Sequence, residues 1–198
     1  MKNFFSNGLI GLDLSELAER IKSCTKCPLS ENRTNAVPGE GDPDSDVLFI
    51  GEGPGREEDL QGRPFVGRAG QKLNDILASV DIERESVYIT NMVKCRPPEN
   101  RSPKRGEIST CFPYLEAQIA SINPSLIITL GNSATKFILD TDQGITSIRG
   151  QLFDWRGEIR VFPMYHPSYL LRNPSTEEGS PKYQTWQDIQ KVKDLMPT

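Results

Sequence analysis

The sequence predicts an α/β domain with a mostly parallel sheet and helices on both faces. Three observations lead there: short apolar runs that close on glycine or polar residues, apolar residues at helical spacing between those runs, and no internal repeat or low-complexity segment. The chain has 198 residues, 36% of them hydrophobic. At that length a fold buries roughly 70% of the surface its unfolded form exposes, so no staple is needed to supply a missing core. A single domain over residues 1–198 is the expectation, with 1–12 as a loose N-terminal extension.

Each element follows from local pattern. Leu14, Leu17, Ala18 and Ile21 share one helical face behind Asp13 or Ser15 as a cap, so a helix leads into Cys24. Residues 47–50 form an apolar run between Asp46 and Gly51, a buried strand that opens into a glycine-rich loop. Leu73, Ile76, Leu77 and Val80 make one stripe of a helix over 71–80. Residues 87–93 and 125–130 read as the second and third strands. The stretch 104–120 is helical in pattern but contains Pro113, whose ring removes an amide and crowds the preceding turn, so a break or kink is expected there. A helix over 132–139 follows the third strand. Residues 151–155 and 159–164 read as strands paired around Arg156-Gly157-Glu158, and 183–196 as a closing amphipathic helix. Ligands of such sheets bind beyond the carboxyl ends of the strands, which directs attention to the loops after Ile50, Val93 and Met164.

Composition excludes several classes. No run approaches the ~20 apolar residues of a membrane span, and the first residues lack the apolar stretch of a signal peptide, so a cytoplasmic protein is expected. Four cysteines are too few for a disulfide scaffold. A single histidine excludes any mechanism needing two imidazoles. The net charge of -4 argues against a protein that coats nucleic acid. Charge is uneven, however: Lys94, Arg96, Arg101, Lys104 and Arg105 stand against Glu99 alone, a local +4 suited to phosphate.

The loop after the first strand reads Gly51-Glu52-Gly53-Pro54-Gly55, then Gly62-Arg63-Pro64-Phe65-Val66-Gly67. It is neither a Walker loop nor a dinucleotide fingerprint, so its glycines serve close backbone approach to some other ligand or simply a tight turn. Phe65 is a packing aromatic or a stacking platform for a flat ligand. Asn91 ends the second strand, where its amide can offer an acceptor and donors to a polar edge or merely cap a turn. The loop after Met164 reads Tyr165-His166-Pro167-Ser168-Tyr169-Leu170-Leu171-Arg172, with an exposed Tyr-Leu-Leu tip and the sole imidazole, either structural or functional. Cys24 and Cys27 in a Cys-x2-Cys pair, with Cys95 and Cys111, suit tetrahedral zinc or an iron-sulfur cluster, and spacing does not decide between them.

Taken in order, Gly51-Glu52-Gly53-Pro54-Gly55, Gly62 to Gly67, Asn91-Met92-Val93-Lys94-Cys95-Arg96-Pro97-Pro98 and His166-Pro167-Ser168-Tyr169-Leu170 resemble the type-4, iron-sulfur uracil-DNA glycosylases. The resemblance implies a three-layer α/β/α fold around a central four-stranded, mostly parallel sheet. It implies a structural [4Fe-4S] cluster on Cys24, Cys27, Cys95 and Cys111, and a monomer whose partner is uracil-containing DNA. Phe65 would stack on a flipped uracil, Asn91 would read its edge, the backbone at Glu52 and Gly53 would line the pocket, and His166 would stabilise the departing base. Leu170 would wedge into the vacated stack, and Ser168, Arg172, Arg101, Lys104 and Arg105 would hold the DNA backbone. Related enzymes carry a water-positioning aspartate where this chain has Gly53, which leaves Glu52 and Asn100 as candidates for that task. The competing readings are a non-catalytic DNA- or protein-binding module and a redox-sensing iron-sulfur protein.

Overall fold

The computed structural model describes residues 8–196. Its sheet has six strands in the order β1-β3-β2-β4-β6-β5, with β1 Glu40–Gly41, β2 Val47–Gly51, β3 Tyr88–Asn91, β4 Leu126–Leu130, β5 Phe153–Trp155 and β6 Ile159–Met164. The four inner strands β3, β2, β4 and β6 run parallel, and the short β1 and β5 pair antiparallel at the two edges. The expected four-stranded parallel centre is therefore present with an added strand on each side. β1 is only two residues long, too short for period-2 patterning to reveal.

Alternate residues of each inner strand feed two different cores, because successive side chains point to opposite faces. Leu48, Ile50, Ile127 and Val161 pack with α1 (Leu14–Lys22), α4 (Arg105–Ile122) and α5 (Asn132–Leu139). Val47, Phe49, Ile128 and Phe162 pack with α3 (Arg68–Ala78), α7 (Pro167–Arg172) and α8 (Pro181–Leu195). Two short helices, α2 (Arg56–Gln61) and α6 (Ile145–Ile148), complete the set. Both faces of the sheet are dry, which is why its strands read as continuous apolar runs rather than alternating ones.

Local chemistry accounts for the boundaries. Asp13 is the cap of α1: its carboxylate accepts from Glu16 N–H at 2.8 Å while Glu16 accepts from Asp13 N–H at 3.0 Å. The β5–β6 hairpin turns through Arg156 and Gly157, both at positive φ (39° and 85°), as a tight right-twisted hairpin requires.

Three expectations are corrected. Of the break or kink expected at Pro113, the break does not occur: α4 is continuous through it, because Cys111, Tyr114 and Leu115 on either side are buried and their packing outweighs the lost amide. Residues 1–7 lie outside the described residues, but Leu9 is buried in the core and Ile10 and Leu12 pack against it, so the chain is tied down well before residue 12. The segment expected to expose a Tyr-Leu-Leu tip is instead the helix α7, which turns Leu170 inward to 2% exposure.

Candidate active site

A cleft of about 630 Å³ opens beyond the carboxyl ends of the inner strands. β2 delivers Glu52 and Gly53 to it, β3 delivers Asn91, β4 leads to Gly131, and β6 leads to His166. Phe65 enters from the loop between α2 and α3.

Glycines make the close approach possible. A Cβ on Gly51 would fall 2.4 Å from Asn91 Oδ1 and 2.6 Å from the Phe65 ring, so no side chain fits there. Phe65 itself sits at φ +51°, a left-handed conformation a bulky residue adopts only under constraint. Two contacts impose it. Glu58 accepts from the amides of Val66 (2.9 Å) and Gly67 (2.8 Å) with one carboxylate oxygen and from Gly55 N–H (3.1 Å) with the other, tying the two halves of the glycine-rich loop together. Gly70 lies so close that a Cβ would stand 1.8 Å from the Phe65 carbonyl oxygen.

The Phe65 and His166 rings face the same space, with centroids 5.7 Å apart. His166 Nδ1 accepts the Ser168 backbone N–H at 3.2 Å and lies 2.8 Å from Ser168 Oγ. An Nδ1 that accepts leaves the ring proton of the neutral imidazole on Nε2. Burial draws the His166 pKa down to about 4, with the positive charge of Arg172 acting in the same direction, so the ring is neutral at physiological pH. In the cleft Asn91 Oδ1 and Glu52 Oε1 are buried and have no hydrogen-bond partner. Buried acceptors of this kind are uncommon, and two in one cleft mark a surface made to be completed by a ligand.

Glu52, Gly53, Phe65, Asn91, His166, Asn100, Arg101, Ser168 and Arg172, all singled out in the sequence, line the cleft. Asn100 is exposed and its Oδ1 accepts from Arg96 Nε at 2.8 Å; Arg101 is held by Glu107 through a two-pronged ion pair at 2.7 and 2.8 Å. Lys104 and Arg105 are exposed but do not line the cleft. Leu170 is absent from the lining because it packs into the core, so in this conformation it is not available as a wedge. The local +4 also shrinks, since Lys94 is fully buried. Sequence reasoning missed Glu58, whose signal was its place three residues after Gly55 at the start of a short helix, the capping-box spacing. It also missed Asn132 and Thr146, which carry no motif and reach the cleft only through the fold.

Cys24, Cys27, Cys95 and Cys111 line one small pocket together with Lys94 and Tyr114. None of the four is in a disulfide. Arg33 Nη1 donates to Cys95 Sγ at 2.9 Å. Burial lowers the Lys94 pKa to about 7 against the opposing pull of Cys111 and Cys95. Among the described residues no group of three or more His, Cys, Asp or Glu is arranged to hold a single metal ion.

The parallel-sheet α/β/α domain thus brings an amide, an imidazole N–H and a phenyl ring to one cleft. The chain belongs to the uracil DNA glycosylase superfamily, whose sequence profile matches residues 38–190. It is 50% identical over 181 residues to the type-4 uracil-DNA glycosylase of Thermotoga maritima, covering 91% of this chain and 93% of that protein. It is 44% identical to the type-4 uracil-DNA glycosylase of Sulfurisphaera tokodaii (93% and 86% covered), and 27% identical to a type-5 uracil-DNA glycosylase of Pyrobaculum aerophilum (80% and 84% covered).

Proposed function

We propose that this chain acts as a single uracil-DNA glycosylase domain that takes uracil out of the DNA stack and hydrolyses its N-glycosidic bond, leaving an abasic site for base excision repair. The observation that carries the reading is the unpartnered, buried Oδ1 of Asn91 in a cleft shared with the Nε2–H face of His166. Uracil presents N3–H between O2 and O4. Asn91 accepts from N3–H and its amide donates to O4, an arrangement cytosine cannot satisfy. A mismatched base leaves a buried group unpaired, at a cost of about 1–3 kcal/mol. Phe65 supplies the stacking face that replaces the neighbouring bases.

Bond cleavage leaves negative charge on the base. His166, neutral and donating from Nε2, stabilises that charge at O2 as an electrostatic group rather than as a general acid. Glu52, whose Oε1 is buried without a partner, is the better-placed group to orient the attacking water. Asn100 has its oxygen committed to Arg96 and offers only its amide. Arg101, Arg172 and Ser168 at the cleft rim face the phosphates of the bound strand, with Lys104 and Arg105 adding charge nearby.

The cysteine pocket fits a [4Fe-4S] cluster. Four thiols converge on it beside the hydroxyls of Ser30, Thr110 and Tyr114, and the side chain of its buried neighbour Lys94 hydrogen-bonds neutral acceptors, so thiolate ligands would supply the counter-charge that a buried ammonium needs. When bound, the cluster supplies a crosslink rather than chemistry at the base, joining the segment after α1, the loop after β3 and α4. Arg33 then donates to one of its sulfur ligands.

A uracil-containing oligonucleotide treated with the protein and then with alkali breaks at the uracil; an intact oligonucleotide refutes the activity. His166→Ala and Asn91→Ala each lower the single-turnover rate by roughly 10²–10³-fold, with melting curves close to that of the parent. Unchanged rates for both sink the site assignment.

A further inference from the structure

Lys94 is unusual for its surroundings. Lysine is seldom fully buried, yet its side chain is among the largest completely enclosed ones in the molecule. Its ammonium has three N–H donors, and three acceptors receive them: Thr90 Oγ1 at 2.6 Å, Gln118 Oε1 at 2.6 Å and the backbone carbonyl of Asn91 at 2.8 Å. The acceptors are themselves held. Thr90 Oγ1 and Gln118 Nε2 both donate to the carbonyl of Pro38, each at 2.8 Å. Lys94 therefore registers the end of β3 against α4 and against the segment that leads into β1.

The third contact bears on the site. Asn91 Oδ1 has no partner of its own, which keeps it free for a ligand but removes the usual means of fixing an amide side chain. Its direction must then come from its backbone and from packing. Gly51 and Phe65 confine it from the front. From behind, Lys94 Nζ fixes the peptide plane that follows Asn91 through its 2.8 Å bond to the Asn91 carbonyl.

We propose that Lys94 is a positioning residue for base recognition: it aims the Asn91 amide into the cleft by holding the Asn91 carbonyl in register with Thr90 and Gln118. The proposal rests on the reading of Asn91 as the group that contacts uracil. Lys94 itself touches no substrate. Its effect belongs to the maximal rate, because an amide misdirected by a fraction of an ångström loses interactions that strengthen as the bond breaks, while contacts to the DNA backbone are untouched.

The test is a double-mutant cycle on single-turnover excision in the full chain, with iron content and a melting curve recorded for each variant. Lys94→Met lowers the maximal rate by roughly tenfold when Asn91 is present and by less than about twofold when Asn91 is replaced by Ala. Affinity for DNA with an abasic site stays unchanged in both backgrounds. Equal losses in the two backgrounds mean that Lys94 acts only through general stability, and the proposal falls while the role of Asn91 stands. A fully active Asn91→Ala variant removes both. If Lys94→Met does not fold or loses iron, Gln118→Met enters the same cycle, since it leaves the ammonium on the Asn91 carbonyl but frees it from α4. A smaller loss confined to the Asn91-containing background then supports the proposal, and a loss equal in both backgrounds overturns it.

Discussion

The backbone N–H of Ser168 donates to Nδ1 of His166, and that one bond determines which nitrogen of the imidazole faces the cleft as a donor. The relationship follows from α7 itself: His166 occupies the position just before the helix, and Ser168 is one of the first-turn amides without a partner inside the helix. Pro167 at the first helical position needs no such partner. A histidine cap is thus converted into an oriented Nε2–H.

That geometry predicts a pH response opposite to the ordinary one for a histidine that gains a charge partner. In the folded protein the His166 pKa is about 4, against 6.5 for the free side chain. Between these values the unfolded chain binds the proton and the folded chain does not. Stability from His166 is therefore fully present above pH 6.5 and is lost as pH falls toward 4. His166→Gln removes this part of the pH slope of the melting temperature. Since the chain has one histidine, its imidazole resonances are directly assignable by NMR, and they should report the Nε2–H tautomer unchanged down to pH 5. Titration near 6.5 contradicts the assignment.

The clamp around Phe65 predicts an unusually severe glycine substitution. Gly70 lies inside α3, where alanine normally raises helix stability by about 1 kcal/mol. Here a Cβ at 1.8 Å from the Phe65 carbonyl oxygen cannot be accommodated without moving the loop. Gly70→Ala is expected to destabilise the protein by about 1–3 kcal/mol and to slow uracil excision beyond what the lost stability explains. Thermal melting and single-turnover rates measured well below the melting temperature check both parts. A stabilised, fully active variant refutes the clamp.

Much of this was readable in the sequence, and the gaps have physical causes. The strand ends and the glycine-rich loop were visible because parallel strands are buried on both faces and stop at polar residues; that placed Glu52, Asn91 and His166 at the carboxyl ends of the strands. Phe65 was visible as an aromatic beside glycines, but not its φ of +51°, which depends on Glu58 and Gly70 meeting it in space. Lys94 read as surface charge, since nothing local reveals that Thr90 and Gln118, the latter 24 residues away, enclose its ammonium. Pro113 read as a breaker because propensity is local and the packing that overrides it is not.

The cysteine pocket predicts a coupling between metal and loop order. Cys24, Cys95 and Cys111 lie on three distant stretches of chain, so a group that holds them crosslinks the segment after α1, the loop after β3 and α4. Freshly purified protein is expected to carry about four irons per chain and a broad visible absorption. Cys24→Ala should lose both, and amides between Lys94 and Cys111 should exchange faster with deuterium while the inner strands stay protected. Full excision activity after verified loss of iron rejects the coupling; a colourless, zinc-bearing, active protein rejects the cluster alone.

Leu170 separates two roles that the sequence left joined. A wedge must reach out of the protein into the gap left by a flipped base, whereas the Leu170 side chain is 2% exposed and packs in the cluster that includes Phe49, Met164 and Ile189. Truncation of such a side chain costs about 2–5 kcal/mol through lost burial and the cavity left behind. Leu170→Ala should lower the melting temperature strongly and slow excision from single- and double-stranded DNA in the same proportion, because neither substrate contacts it. A wedge predicts the reverse: little change in stability and a loss confined to duplex DNA, where a partner strand and a continuous stack resist extrusion. The ratio of single-turnover rates on duplex and single-stranded uracil DNA decides between them, and a selective duplex defect means that α7 opens on DNA to release Leu170.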